Sequence, residues 1–291
     1  MKLQIVHRTS YRYSLPLRRV VQTLRLTPRS SSRQTVLHWA LAGSGSLHPE
    51  DDAWGNLAHL HTVERGGRRL HTEASGVVET RAEPVVTDGP DGRGPAPDWY
   101  REASLLIGRW PAIVDLALTC LPGGEPAHPV EPRRGIERLL RLAESVQHRV
   151  RYRPGTTDVH TTAEGAWMAA EGVCQDQAQV FIAACRAAAV PARYVSGYFF
   201  GGETGSGGAE VAHAAGAAGA AALASHAWAE VCIDLPGRRW LGVDVTHGCL
   251  VDARHVVLAV GPDYAACPPV RGVRSGGGAE TMEVSLRITP L

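Results

Sequence analysis

Between Gly172 and Ala189 the chain reads GVCQDQAQVFIAACRAAA. Its alanines, Phe181, Ile182 and Cys185 recur at spacings of three and four, the pattern of an amphipathic helix with an apolar face. A glycine stands ahead of that run and a cysteine at its start. The first turn of a helix leaves amide N–H groups without partners, and their partial positive charge favours thiolate over thiol. Cys174 is therefore a candidate nucleophile. Such a thiol needs an imidazole to take and return its proton, and a carboxylate or amide to orient that imidazole.

The rest of the chain divides by its periodicity. From Met1 to about Thr80 apolar residues alternate in short runs broken by turn residues, as in Leu3 and Ile5, then Leu37, Trp39 and Leu41. This predicts a small β-sandwich or barrel over residues 1–82. His59, His61 and His71 alternate with apolar residues there and read as exposed strand positions rather than metal ligands. Residues 83–98, rich in proline, glycine and acid, read as a linker. A second domain, 99–291, follows. Its expected elements are a helix over Trp99–Leu118 broken at Pro111, and a helix over Pro132–Tyr152 with Pro132 in its first turn. A short helix capped by Thr161 or Thr162 runs through Trp167 and Met168. Strands are expected over Pro191–Phe200, Ser225–Asp234, Arg239–Thr246 and Met282–Ile288. The Ala/Gly-rich stretch Gly201–Leu223 reads as a loop, because its glycines weaken any helix by about 1 kcal/mol each.

Composition narrows the chemistry. A net charge of +1, with 44% hydrophobic and 20% charged residues, gives no footprint for nucleic acid or an acidic membrane surface. No apolar run approaches the ~20 residues that span a bilayer, and the N-terminus carries no export-signal pattern. The six cysteines are scattered without a C-x-x-C pair, so neither a zinc site, a cofactor nor a disulfide framework is expected. A cytoplasmic location follows as the expectation.

The partners that Cys174 needs lie downstream. His226 opens one expected strand, in SHAWAEV, and Asp244 lies on the next, in WLGVDVT, with Pro236-Gly237 as the turn between them. The two sit at unequal distances from that turn, so bringing them together requires a bulge or a diagonal approach. Gln175 and Trp167 are candidates for a second oxyanion donor, and Gln175 and Trp228 for lining the cleft. Asp176 reads as a helix-start acid.

Segments YRPGTTDVHTTA, GVCQDQAQVFIAACRAAAVPARYVSGY, SHAWAEV, GVDVTHG and HVVLAVGPDYAACPPVRGV together resemble the bacterial transglutaminase-like proteins of the papain-like thiol-enzyme superfamily. The N-terminal part, including LRLTPRSS, resembles the β-rich accessory domain that precedes such cores. The resemblance implies an α+β fold with a papain-like core, in which a helix-borne cysteine packs on an antiparallel sheet. It implies Cys174 as nucleophile, His226 as base and Asp244 as the orienting partner. A peptide or protein carboxamide would be the substrate, with water or an amine resolving the thioester. A cysteine protease is the alternative within that chemistry, and a non-catalytic interaction module keeping the fold is the alternative outside it. The chain departs from the family where an aromatic and a histidine are usual and Gln177 and Gln179 stand, a change expected at the cleft wall. It departs again where Asp-Pro-Thr-Asn becomes Asp244-Val245-Thr246-His247.

Overall fold

The period-two pattern of the N-terminal region becomes six strands: β1 (Lys2–Tyr13), β2 (Leu17–Leu24), β3 (Gln34–Gly43), β4 (Ser46–Asp51), β5 (Leu57–Glu64) and β6 (Arg69–Thr80). The structure is a computed structural model that describes residues 1–65, 67–88, 94–123, 132–202, 210–215 and 225–291. Along β1 every second residue from Leu3 to Tyr13 is buried, so one face of the strand lies in a core and the other in water.

A short strand β7 (Val85–Thr87) follows, then α1 (Pro111–Cys120), α2 (Pro132–Arg149), β8 (Arg151–Tyr152), α3 (Ala163–Ala169), β9 (Glu171–Gly172) and α4 (Cys174–Ala187). The chain ends with β10 (Ala192–Phe199), β11 (Glu210–Ala215), β12 (His226–Asp234), β13 (Arg239–Asp244), β14 (Cys249–Leu250), β15 (His255–Gly261), β16 (Val270–Gly276) and β17 (Glu280–Pro290). Three antiparallel sheets result, in the orders β11-β17-β1-β6-β3, β16-β2-β5-β4 and β14-β13-β12-β10-β15, with β7 on the β13 edge of the third. No helix among the described residues is long and apolar enough to cross a membrane.

The sheets do not follow the expected division at residues 83–98. β17 runs antiparallel to β1, with Ile5 opposite Ile288, and β16 pairs with β2. Both ends of the chain thus build the β-sandwich. The expected 83–98 linker is partly strand, because Val85–Thr87 complete the edge of β13 through Trp240 and its neighbours. Asp88, just after it, bonds Arg193 and the Trp240 indole N–H, which anchors the segment to the third sheet. Most of Gly201–Leu223 lies outside the described residues, but Glu210–Ala215 within it form a strand on β17 rather than a loop. Residues 102–110 are not helical, so the expected Trp99–Leu118 helix reduces to one turn at Pro97–Arg101 and to α1, which starts at Pro111. His61 is buried rather than exposed, with its ring nitrogens on Gln22 and the Ser44 carbonyl.

Helix α4 is the centre of the second half. Every residue from Cys174 to Arg186 is buried, the polar ones included, so the helix is enclosed on all sides instead of amphipathic. α1, α2 and α3 pack round it, and β10 and β12 cover the remaining side. Its polar side chains are internal ties: Arg186, for example, donates to the carbonyls of Ala192, Pro262 and Glu102. The third sheet has a core on each face. Tyr194, Ala229 and Ala259 look towards the helices, while Tyr198, Val256 and Leu258 pack with Leu3, Ile5 and Val284 of the sandwich.

At that second contact His7 and Tyr198 meet, Nδ1 to hydroxyl at 2.8 Å, and burial lowers the His7 imidazole from its ordinary 6.5 to about 4. A base that must stay neutral in the fold stabilises it above its unfolded value and costs stability below it. Stability is therefore lost as pH falls from 6.5 towards about 4, by up to about 3 kcal/mol. Thermal unfolding between pH 7.5 and 4.5 should show this slope, and His7→Gln should flatten it.

Candidate active site

Cys174 opens α4, and the turn that precedes it is shaped by two residues. Asp176 Oδ2 accepts the Val173 N–H at 2.7 Å and the Thr157 hydroxyl at 2.6 Å. Gly172 runs so close to that carboxylate that a Cβ there would lie 2.6 Å from Asp176 Oδ2. The glycine is thus required by packing, and Asp176 closes the turn before Cys174 as well as facing the helix dipole. Burial raises the Asp176 carboxyl above its usual range, against the pull of its hydrogen bonds.

β12 and β13 deliver the two partners. Ala229 pairs with Val243, and one further step puts Asp244 opposite Trp228, diagonal to His226 on the same face. A bulge between Cys232 and Asp234 absorbs the unequal distances from the turn. His226 Nε2 lies 2.7 Å from Asp244 Oδ2, and the same imidazole is hydrogen-bonded to Cys174. The three residues expected to act together are therefore in direct sequence of contact.

Asp244 is completely enclosed and serves more than His226. His247 Nδ1 and His255 Nε2 reach the same oxygen at 2.7 and 2.9 Å, and the His247 backbone N–H reaches Oδ1 at 3.1 Å. Burial alone would raise the Asp244 carboxyl; the imidazole hydrogen bonds outweigh it and hold the group well below the usual carboxylate range. Burial likewise opposes the charged form of His226, but its bonds to Asp244 and Cys174 carry the imidazole up to about 10. The Phe199 ring lies 4.2 Å from that of His247, 4.8 Å from His255 and 5.2 Å from His226, forming the floor of the cluster.

β10 can bring Phe199 there because Gly197 lies opposite His226 with the Trp228 ring against it. A Cβ on Gly197 would lie 2.5 Å from the indole. Trp228 is fully buried, so it does not line a cleft; it backs the histidines, 5.2 Å from the His255 ring and 6.1 Å from that of His226. Gln175 is buried with its amide 3.5 Å from the Asp158 carbonyl, and Trp167 is partly buried under the Arg149 guanidinium at 5.0 Å. Tyr152, half-exposed, is one of the aromatics near the thiol, with the buried Tyr194 and Tyr264: burial and the neighbouring Cys174 both raise its hydroxyl. It sits on β8, whose partner β9 runs directly into Cys174.

Gln177 and Gln179 are buried and not part of an open wall. Gln177 gives its N–H to the Val150 carbonyl and takes the Thr246 hydroxyl, both at 2.8 Å, while Gln179 bonds the Thr161 carbonyl. Gln147 of α2 donates to the Thr246 carbonyl. The turn after Asp244 is thereby tied both to the cysteine helix and to α2.

His247 and His255 escaped the sequence reading as site residues. His247 was visible only as a departure from a motif, and His255 only as the first residue of a strand-like tail. His226, Asp244 and His255 also present ligand atoms within 4.8 Å of one another, a donor set that suits a divalent ion such as zinc. Each of those nitrogens faces the Asp244 carboxylate, so the group is satisfied by its own hydrogen bonds. A groove of about 450 Å³ between α2 and the turn is lined by Glu137, Glu144, Gln147 and His247. The larger cavity, about 700 Å³, lies away from this chemistry, between the Ser30–Ser32 loop and the third sheet.

Gln177→Leu should leave the Val150 carbonyl and the Thr246 hydroxyl unpaired and lower stability by roughly 1–3 kcal/mol. Denaturant unfolding checks this.

Known proteins share this architecture. Residues 127–245 match the core of the Transglutaminase-like superfamily, and residues 3–79 match the bacterial transglutaminase-like N-terminal region. An uncharacterized protein of Mycobacterium tuberculosis is 31% identical over 305 residues, which span 99% of this chain and 93% of that one. An uncharacterized protein of Mycobacterium leprae is 29% identical over 301 residues, spanning 100% and 99%. A solved structure from Cytophaga hutchinsonii, assigned as a candidate cysteine protease, is similar over 100% of this chain and 91% of its own, with a TM-score of 0.69 at 19% identity. At that identity the likeness is one of fold.

Proposed function

The chain belongs to the transglutaminase-like superfamily of thiol enzymes, and on that premise we propose that it cleaves or exchanges carboxamide bonds of peptide or protein substrates through a thioester on Cys174. The observation that carries the reading is the continuous contact from Cys174 through His226 to the enclosed Asp244.

The chemistry follows from the geometry. Asp244 only accepts, so His226 carries its Nε2 proton towards the carboxylate and turns Nδ1 to the sulfur. The sulfur attacks the carboxamide carbon. The first-turn amides of α4, Cys174 and Gln175 among them, have no acceptor within the helix and supply an oxyanion site. One such donor is worth roughly 3–4 kcal/mol. His226 then protonates the departing ammonia or amine, which leaves a thioester. Water completes hydrolysis, or an amine completes transamidation. The assignment of the Cytophaga protein favours the first outcome, peptide hydrolysis, as the second reading. A reducing, cytoplasmic setting is part of the same proposal and fits six free cysteines.

Incubation with a glutamine-containing peptide and a labelled primary amine separates the outcomes. Labelled peptide marks transamidation, free acid with ammonia marks deamidation, and a cut backbone marks a protease. Cys174→Ala should abolish all three, by at least ~10³-fold, with unchanged thermal unfolding. If wild-type Cys174 reacts with iodoacetamide at pH 7 no faster than a model thiol, the interaction-module reading stands instead.

The pH dependence has a definite sign. His226 keeps its proton up to about pH 10, so the imidazolium persists across the neutral range and is lost on the alkaline side. Alkylation of Cys174 by iodoacetate, whose carboxylate is drawn to an imidazolium, should fall off near pH 10. Asp244→Asn removes the ionic hydrogen bond and should move that limb to lower pH.

A further inference from the structure

Asp244 can orient His226 only if it is itself immobile, and His226 cannot supply that, because its ring also answers to Cys174. His247 cannot supply it alone either: its side chain is 39% exposed, on the solvent side of the cluster. The His247 backbone N–H holds Oδ1 at 3.1 Å, and the remaining contact, on Oδ2, is internal. We propose that His255 is a positioning residue for the reaction, locking the Asp244 carboxylate from the side away from solvent and so fixing how His226 meets Cys174. The inference rests on the thioester reading above and extends it to a residue outside the Cys174–His226–Asp244 set.

The His255 side chain is completely buried, and both ends of its ring are held. Nε2 lies 2.9 Å from Asp244 Oδ2. Nδ1 lies 3.2 Å from the Asp252 backbone N–H and 3.2 Å from Asp252 Oδ1. Asp244 is an ionised acceptor, so Nε2 carries a proton whichever Asp252 atom Nδ1 engages. Its role as a donor to Asp244 is therefore forced.

The support continues outward. Arg254 grips Asp252 with Nη2 at 2.7 Å and Nε at 2.9 Å from Oδ2, and with its backbone N–H at 2.9 Å from Oδ1. That guanidinium also lies over Phe199, 5.1 Å from the ring centre. Phe199 pairs in register with His255 across β10 and β15, and the Trp228 ring meets the His255 ring nearly perpendicular at 5.2 Å. A ring bonded at both nitrogens and packed against two aromatic residues cannot turn without breaking several contacts at once. The result is a connected line, Arg254–Asp252–His255–Asp244–His226–Cys174, running from a surface ion pair to the thiol. Supporting groups of this kind hold a reacting group to the narrow geometry that proton transfer needs.

Two substitutions separate positioning from mere packing. His255→Gln keeps an amide donor near the Nε2 position, whereas His255→Leu fills the volume without one. The full-length variants are alkylated with iodoacetate across pH 5–11, Cys174 is followed by peptide mass spectrometry, and thermal unfolding is recorded beside it. The alkaline limb of His255→Leu should drop by about one pH unit, and its rate at pH 7 by about tenfold. His255→Gln should recover most of both. A folded His255→Leu protein with the wild-type limb, or Gln and Leu variants that behave alike, would overturn the assignment. Should His255→Leu fail to fold, His255→Asn replaces it, because its shorter amide falls short of Asp244. The limb should then drop with Asn and not with Gln, and equal limbs would overturn the assignment. A wild-type Cys174 with ordinary thiol reactivity would refute the thioester reading itself, before any variant is compared.

Discussion

A carboxylate sealed inside a protein is unfavourable unless hydrogen bonds replace the water it has lost, and the second half of this chain is arranged to provide them for Asp244. Its donors come from three separate places: the start of β12, the turn after β13 and the start of β15. Bringing them to one oxygen requires adjacent strands in a fixed register, a bulge to correct that register, and a glycine at 197 so that the floor can rise beneath the rings. Satisfied in this way, the carboxylate stays charged, and the charge in turn keeps His226 protonated beside the thiol.

The same logic governs α4. A helix buried on every side has no solvent face for its polar residues, so each must find a partner indoors. Gln177 ties the cysteine helix to the turn after Asp244, Arg186 ties its far end to β10, and Asp176 closes the turn before Cys174. Cys174 and Asp244 are therefore positioned by one internal network. The sandwich supports that network from behind: Tyr198 and Val256 share strands with Phe199 and His255 but pack among Leu3, Ile5 and Val284. Since β16 and β17 return to the sheets of β1 and β2, the chain ends lock the layer on which the site rests.

Much of this was legible from residues alone. Alternation revealed the strands before Thr80, the helix expected over Pro132–Tyr152 is α2, and Thr162 does accept the Gly165 N–H that marks it as the cap of α3. Cys174, His226 and Asp244 were legible because each sits in a short segment of distinctive flanks. Long-range pairing was not legible in the same way. Val85–Thr87 are too few, between prolines and glycines, and Glu210–Ala215 too rich in alanine to announce a strand, and each pairs along an edge of a sheet built from distant residues. Trp228 looked like a cleft residue from its place two positions after His226, yet side chains on one strand face can stand over a core as easily as over a groove.

Sequence by itself pointed to Cys174, His226 and Asp244 as one group and to the kinds of element that carry them, because local periodicity and flanking residues are properties of neighbours in the chain. Tertiary structure decided the rest. That three imidazoles share the Asp244 carboxylate, that the polar residues of α4 face inward, and that the termini complete one sandwich all depend on contacts between residues far apart in sequence. Such contacts form only when the sheets fix their register and burial leaves each polar group dependent on the partner it meets there.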